Sequence, residues 1–199
     1  MDTTTKGPLE NWFLLMDPAW HPTAEDDEPP LEAVVGVWPI AEDGALGPFR
    51  ANPDYRPTNE DSPSDPVDAV LRLLLTSRAD TEHLQLVLRE TLLDLAMNTT
   101  GHPLVTTAPD GTPCVVVATS HPHQARLTPP TWRRLDLNDL IITLPDNTDV
   151  LFNPGGPAPV RLTATFLQET LLQDDEEITP HPPAPTPLRV FPWDTSTPQ

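Results

Sequence analysis

The chain of 199 residues contains a single cysteine, Cys114. One cysteine excludes an internal disulfide, so the fold cannot depend on an oxidising compartment, and a cytoplasmic location is expected. Cys114 lies in a short apolar segment, where a free cysteine usually packs as a small hydrophobic residue. No base or thiolate-stabilising residue stands beside it, so no nucleophilic role is predicted.

Long apolar runs are also missing. Runs such as residues 73–75 are cut short by polar or charged residues, far below the roughly 20 residues that span a bilayer. The first residues lack the basic and apolar regions of a signal peptide. The sequence therefore predicts neither membrane insertion nor export by the general secretory route.

Basic residues are scarce, because 11 Lys and Arg stand against 30 Asp and Glu and the formal net charge is −19. Such a field repels phosphate backbones, whose binding depends on Lys and Arg releasing counterions. Nucleic acid and anionic membranes are therefore not expected as partners. The same charge would steer a basic protein toward the chain, and simple solubility is the alternative explanation.

Sequence patterns typical of catalytic, cofactor and metal sites are missing as well. No Gly-x-Ser-x-Gly, His-Glu-x-x-His or Gly-x-x-x-x-Gly-Lys pattern occurs. His121 and His123 have no cysteine or carboxylate at ligand spacing nearby, so both are expected on the surface. Residues 153–157, Asn-Pro-Gly-Gly-Pro, join two strands and predict a structural turn rather than a phosphate loop. We therefore predict no catalytic residue, no cofactor and no metal.

The N-terminal part divides into two segments. Residues 1–10 are predicted to be disordered, and residues 11–64 to form a β-rich segment. Four prolines make the end of this segment an irregular linker. The elements expected are strands at 11–16, 32–40 and 46–50, a turn at 42–44 before the third strand, and the linker at 52–66.

Residues 65–172 combine helix and strand patterns. Asp65 is expected to cap a helix that begins at Pro66 and buries Val67, Val70 and Leu71. The other elements expected are helices from 80–81, 121 and 137, the last of these capped by Asp136, strands at 102–107, 112–118, 131–135, 148–152 and 159–162, and a final helix capped by Thr163 or Thr165. Residues 92–97 could continue the preceding helix or form a strand. This order predicts an α+β fold with a mixed, mainly antiparallel sheet and helices mostly on one face. The N-terminal strands would either extend this sheet or form a small lobe.

The C-terminal segment, residues 173–199, is acidic and proline-rich and is expected to be an extended tail. Residues 188–193 within it are apolar and aromatic. They could add a strand to an exposed sheet edge, in this chain or on a partner. A loose tail without a docking role is the alternative.

Several motifs occur in the order seen in a known family. Residues 14–20, 35–38, 52–57 and 65–69 resemble the leader of actinobacterial type VII secretion system-associated proteins. The Asp110-Gly111 turn, Thr119-Ser120 and the turn at 153–157 resemble the SseB-type domain, named for enhanced serine sensitivity. The match covers about residues 11–172. The resemblance implies a cytoplasmic accessory protein, and the family brings no catalytic residues.

The function predicted is a non-enzymatic, chaperone- or adaptor-like accessory of type VII secretion that binds a secretion substrate or a component of the machinery. The alternative is an immunity-type inhibitor that blocks a secreted toxin by charge complementarity. Enzymatic activity is the third and least favoured interpretation. The sequence does not indicate the oligomeric state. Contact residues are expected in loops and in the tail, where polar and aromatic side chains are otherwise hard to explain. They are Asp17, Trp20, Asn52, Asp54, Tyr55, Arg56, Phe191 and Trp193.

Overall fold

The computed structural model describes residues 11–20, 29–40, 48–59 and 62–173, and the backbone of residues 191–192. The predictions for residues 1–10, for the turn at 42–44 and for Trp193 lie outside the described residues. No helix within the described ranges is long and apolar enough to cross a membrane.

The N-terminal sheet has three antiparallel strands in the order β1–β2–β3. Their bounds are Asn11–Met16, Val34–Ile40 and Arg50–Ala51, and a turn of 3-10 helix, Leu31–Ala33, precedes β2. The first two strands were predicted. The third begins only at Arg50, after Pro48, which has no N–H to donate to a ladder.

The second sheet has seven strands in the order β10–β9–β8–β6–β4–β7, with β5 paired to β6. Among the described strands, only β6 and β8 pair in parallel. The strands are Leu93–Met97 (β4), Val105–Thr107 (β5), Pro113–Ala118 (β6), Thr131–Leu135 (β7), Asp149–Phe152 (β8), Val160–Leu162 (β9) and Phe191–Pro192 (β10). The helices are Pro66–Leu75 (α1), Thr81–Arg89 (α2), His121–Gln124 (α3), Leu137–Thr143 (α4) and Ala164–Leu172 (α5). The predicted α+β fold is confirmed.

One face of the second sheet builds the main core. Successive side chains of a strand point to opposite faces, so alternate residues of β4, β6 and β8 share a side. Leu95, Val117 and Phe152 lie on this side and pack in one core with Leu71 of α1 and Leu88 of α2. The opposite face holds a smaller buried cluster of Ala108, Cys114 and Leu151. Cys114 is therefore a buried packing residue, as predicted.

The N-terminal sheet shares this main core. Leu15, Val35 and Trp38 are buried together with Val67 of α1 and Leu84 of α2. The three strands therefore pack against the helices as a separate sheet with a common core, and they neither extend the second sheet nor enclose a core of their own.

Local capping chemistry places the helix starts. Asp65 accepts a hydrogen bond of 2.9 Å from the backbone N–H of Asp68, which confirms the predicted start of α1. Asp136 caps α4 and Thr163 caps α5 in the same way. In α2, Asp80 and His83 form a reciprocal capping box.

The prediction that both His121 and His123 lie on the surface is wrong for His123. His121 is exposed, but only 2% of His123 is accessible. The loop at 153–157 covers the imidazole, and a Cβ atom at Gly156 would lie 2.9 Å from its Nδ1 atom. A glycine in this turn, distant in sequence, therefore makes room for the buried ring.

Replacing Gly36 with alanine should destabilise the N-terminal sheet by about 1–3 kcal/mol. A Cβ atom there would overlap the ring of Phe49 and lie 2.8 Å from the backbone oxygen of Arg50. The new methyl group must therefore displace Phe49 or separate β2 from β3. Urea unfolding would measure the loss. Phe49→Leu provides the control, because the double variant should lose less stability than the two single changes predict together. Simple additivity would contradict this steric explanation.

Candidate functional site

A groove of about 460 Å³ runs along the outer edge of β1. The six consecutive residues from Phe13 to Pro18 line it. Side chains alternate across a strand, so a run of consecutive lining residues means that the strand edge, rather than one face, borders the groove. Among the described strands, β1 pairs only with β2. Its outer edge is therefore available to another extended chain.

Both helices of the N-terminal half form the other side of the groove. Val70 and Leu73 of α1, together with Trp38 of β2, provide apolar surface. The remaining lining residues are Trp20, Arg78, Ala79 and His83. The groove is thus mainly apolar, with a cationic group beside it.

An aromatic cluster supports the groove. The ring centroid of Trp38 lies 5.6 Å from that of Phe13, 4.8 Å from that of Phe49 and 5.5 Å from that of His83. Trp38 is fully buried, whereas 45% of Phe13 is exposed. Aromatic pairs at such separations stabilise by contact as well as by burial. Phe13 is therefore held in place by the core while presenting its ring to solvent.

Hydrogen bonding fixes His83 in this cluster. Its Nδ1 atom accepts a bond of 3.2 Å from the backbone N–H of Asp80. In the neutral ring the proton must then lie on Nε2, which makes that atom a donor. The capping box of α2 and the wall of the groove thus use the same side chain.

Two exposed apolar side chains lie on β1. Phe13 is 45% exposed and its neighbour Leu14 is 40% exposed, on opposite faces of the strand. Both line the groove, where exposed apolar surface favours an interaction site. Together with half-buried Trp20, these residues give the groove its apolar lip.

Asp17 lies at the end of the groove and is 1% exposed. Its carboxylate accepts hydrogen bonds from the backbone N–H of Ala19 at 2.9 Å and from the Oγ1 hydroxyl of Thr58 at 3.2 Å. Burial raises the pKa of Asp17, but hydrogen bonds from Ala19, Ser62 and Thr58 outweigh it and hold the pKa below its ordinary value. Asp17 therefore joins β1 to the loop at 52–65.

Tyr55 belongs to the same network. Its hydroxyl oxygen lies 2.7 Å from the backbone oxygen of Pro63 and 3.3 Å from Oδ2 of Asp17. Burial and the neighbouring Asp17 carboxylate raise the pKa of Tyr55 above its ordinary value. The side chain is half-buried and its polar end points inward to these partners.

Asn52 holds the start of this loop. Its Nδ2 atom donates to the backbone oxygens of Leu31 at 2.7 Å and Val34 at 2.8 Å, while its Oδ1 atom accepts from the N–H of Asp54. The side chains of Asp54 and Arg56 are exposed on the loop. Arg56 donates from Nη1 to two backbone oxygens of its own loop.

The predicted contact residues thus divide into groups. Asp17 and Trp20 line the groove. Asn52 joins the loop to the backbone of Leu31 and Val34, and Tyr55 joins it to Asp17. Asp54 and Arg56 lie on the loop surface. Phe191 is in β10, whose backbone pairs antiparallel with β9 in this chain and places Phe191 opposite Arg161. The tail therefore adds a strand in cis, one of the two alternatives considered for it.

Sequence reasoning missed Phe13, Leu14, Arg78 and His83. A signal for the first two was present, since residues 12–16 are apolar without interruption. A strand that is apolar on both faces needs other apolar groups packed against both faces, or a binding partner on one of them. Arg78 and His83 carried no such signal, because only the packing of α2 against β1 places them at the groove.

Comparison with known proteins adds no relative. No protein-family model, curated protein or solved structure matches the chain. The resemblance to type VII secretion-associated proteins stays a prediction. The groove is therefore the main support for a binding function.

Proposed function

We propose that this is a non-enzymatic binding protein whose groove receives an extended, apolar segment of a partner protein. The observation that supports this best is the outer edge of β1, which pairs with no other described strand and is bordered by exposed Phe13 and Leu14. A peptide that adds a strand to such an edge gains main-chain hydrogen bonds and places alternate side chains in adjacent pockets. Both requirements are available along β1.

The polar groups of the groove favour a peptide over a small metabolite. Small-molecule sites usually present several convergent polar groups to the ligand. Here the carboxylate of Asp17 is already engaged by internal donors, and Nδ1 of His83 is used by Asp80. What remains is apolar surface, the backbone of β1, the Nε2 atom of His83 and the side chain of Arg78.

The biological setting we propose is that of a cytoplasmic accessory in type VII secretion, which binds a secretion substrate or a component of the machinery. The motif resemblance supports this setting, and the single cysteine agrees with a reducing compartment. A net charge of −19 would speed encounter with a basic partner. The same charge also favours the second candidate, an immunity-type inhibitor of a basic secreted toxin.

A pair of matched variants tests the groove. Leu14→Glu places a charge at its lip, and Ile142→Glu places the same charge on α4, where Ile142 is 74% exposed and outside the groove. Partner proteins captured by the tagged wild type from the native host should be at least tenfold depleted with Leu14→Glu and unchanged with Ile142→Glu. Circular dichroism would confirm that both variants fold.

Other outcomes would separate the candidates. Equal capture by Leu14→Glu and wild type would contradict the groove as the binding site. A one-to-one complex with a secreted toxin that weakens sharply as salt rises would favour the inhibitor over the secretion accessory. Turnover in a broad hydrolase or transferase screen would contradict the non-enzymatic proposal.

A further inference from the structure

Three polar side chains that are distant in sequence meet beneath the start of α1, outside the groove. Asp65 and Asp68 come from the cap and first turn of this helix, and His123 comes from α3. The Nε2 atom of His123 lies 3.4 Å from Oδ2 of Asp68 and 4.0 Å from Oδ2 of Asp65. One ligand atom of each residue lies within 4.8 Å of the other two, and all three residues are buried.

The imidazole of His123 is the unusual member of this cluster. It is 2% exposed, its Nδ1 atom has no hydrogen-bond partner among the described groups, and its Nε2 atom makes a polar contact of 3.4 Å with Oδ2 of Asp68. Burying a polar group without a partner costs free energy. Its Nε2 atom nevertheless points to two carboxylates, which is the arrangement of a ligand set.

The charged groups of the cluster carry a net negative charge. Asp65 and Asp68 are buried carboxylates, and the guanidinium of Arg72 pairs with Asp68 at 2.8 Å. These three charged groups sum to one negative charge, which favours a cation as the ligand of the cluster.

The separations suit a small transition-metal ion. With bonds of about 2.0–2.2 Å to nitrogen and oxygen, tetrahedral ligand atoms lie about 3.4 Å apart. The pair formed by His123 and Asp68 already has this spacing. The pair formed by His123 and Asp65, at 4.0 Å, would have to close by about 0.6 Å, and the ligand oxygens of Asp65 and Asp68, which lie within 4.8 Å of each other, would also have to adopt this spacing. One imidazole with two carboxylates favours zinc or a similar ion over magnesium, which prefers oxygen alone.

Neighbouring groups orient the two carboxylates. Arg72 donates from Nε and Nη2 to both oxygens of Asp68, and the Oγ1 hydroxyl of Thr119 donates to Oδ2 of Asp65 at 2.7 Å. The hydroxyl of Ser64 lies 3.0 Å from that same Asp65 oxygen and 2.8 Å from Oγ of Ser120. Ser64 can therefore turn its proton to Ser120 and leave a lone pair of Asp65 for a cation. Such supporting contacts are typical of metal sites.

The cluster also has an access route. A second cavity, of about 570 Å³, is lined by Asp65, Thr119 and Ser120, so it borders the cluster at Asp65. An ion and its remaining water ligands could reach Asp65 from this cavity. A metal site requires such an entry path.

We propose that Asp65, Asp68 and His123 form a site for one divalent transition-metal ion, with the fourth position open to water from this cavity. The ion ties the start of α1 to α3 and to the loop at 153–157. The site is independent of the groove and does not depend on the function proposed for it.

Calorimetric titration of the full chain with zinc chloride tests the site, and His121→Gln provides a matched control. His121 lies on the same short helix but is exposed. One zinc ion should bind the wild type and the His121→Gln variant equally. His123→Gln should weaken binding at least tenfold. Magnesium chloride should give no comparable heat. Equal zinc affinity in His123→Gln and wild type, or no binding up to about 1 mM zinc, would overturn the proposal.

If His123→Gln fails to fold, a spectroscopic measurement on the wild type tests for the metal site instead. Cobalt(II) added to the wild type should give a visible absorption band that saturates at one equivalent and disappears when zinc is added. The His121→Gln variant should give the same band. A wild type without a saturable band would overturn the proposal without any change at His123.

Discussion

Replacing Trp38 with alanine is expected to lower the free energy of unfolding by about 3–5 kcal/mol, the largest effect of any single change considered for this protein. Trp38 is fully buried and contacts Phe13, Phe49 and His83 in the aromatic cluster. Its removal leaves a large cavity under the groove and separates β1 from α2. Urea unfolding followed by circular dichroism would measure the loss.

Two further variants control for this interpretation. Trp38→Phe retains an aromatic ring and removes an indole N–H that has no hydrogen-bond partner among the described residues, so it should cost less than about 2 kcal/mol. Trp20→Ala, at the half-buried rim, should change stability by less than about 1 kcal/mol and still weaken partner capture. A loss as large for Trp20→Ala as for Trp38→Ala would assign Trp20 to the core.

Replacing Asp17 with alanine should cost about 1–3 kcal/mol, since it removes the acceptor of part-buried hydrogen bonds from Ala19 and Thr58. Asp17→Asn keeps one acceptor oxygen and should cost less. Urea unfolding at neutral pH would compare the three proteins. A cost below about 0.5 kcal/mol for alanine, the range of ordinary surface changes, would contradict the structural role of Asp17.

The pH dependence of the same variants provides a second test. The pKa of Asp17 in the folded protein lies below the ordinary value of 3.8. A lowered folded-state pKa contributes stability that is complete above the ordinary value and is lost as the pH falls through the folded-state pKa. Wild type should therefore lose more stability than Asp17→Asn between about pH 6 and about pH 3. Equal losses in both proteins would contradict the lowered pKa.

Much of the fold follows from local chemistry that the sequence displays. Asp65 and Asp136 cap the helices that they were predicted to cap, and Thr163, one of the two residues considered, caps α5, because a cap needs only a side-chain oxygen and a nearby N–H. The strand pattern likewise follows from alternation of apolar residues. The pairing order of the strands was not predictable in this way, since it depends on contacts between distant segments.

The sites were harder to predict for the same reason. From the sequence, Asp17 is predicted to be a loop residue. Only the fold shows that its carboxylate accepts hydrogen bonds from Tyr55 and Thr58. The buried position of His123 depends on Gly156, and its neighbours Asp65 and Asp68 lie in a different part of the chain. Spacing rules for ligands recognise residues that are close in sequence, so they could not find this cluster.

The common core has a consequence for the history of the chain. Leu15, Val35, Trp38 and Phe49 cover apolar residues of α1 and α2 that residues 65–172 do not cover by themselves. A gene rearrangement that transferred only the C-terminal part would yield a domain in which apolar residues of α1 and α2 are exposed to water. Recombination that preserves folding must therefore move both sheets as one unit, and substitutions on either side of this boundary are under joint selection.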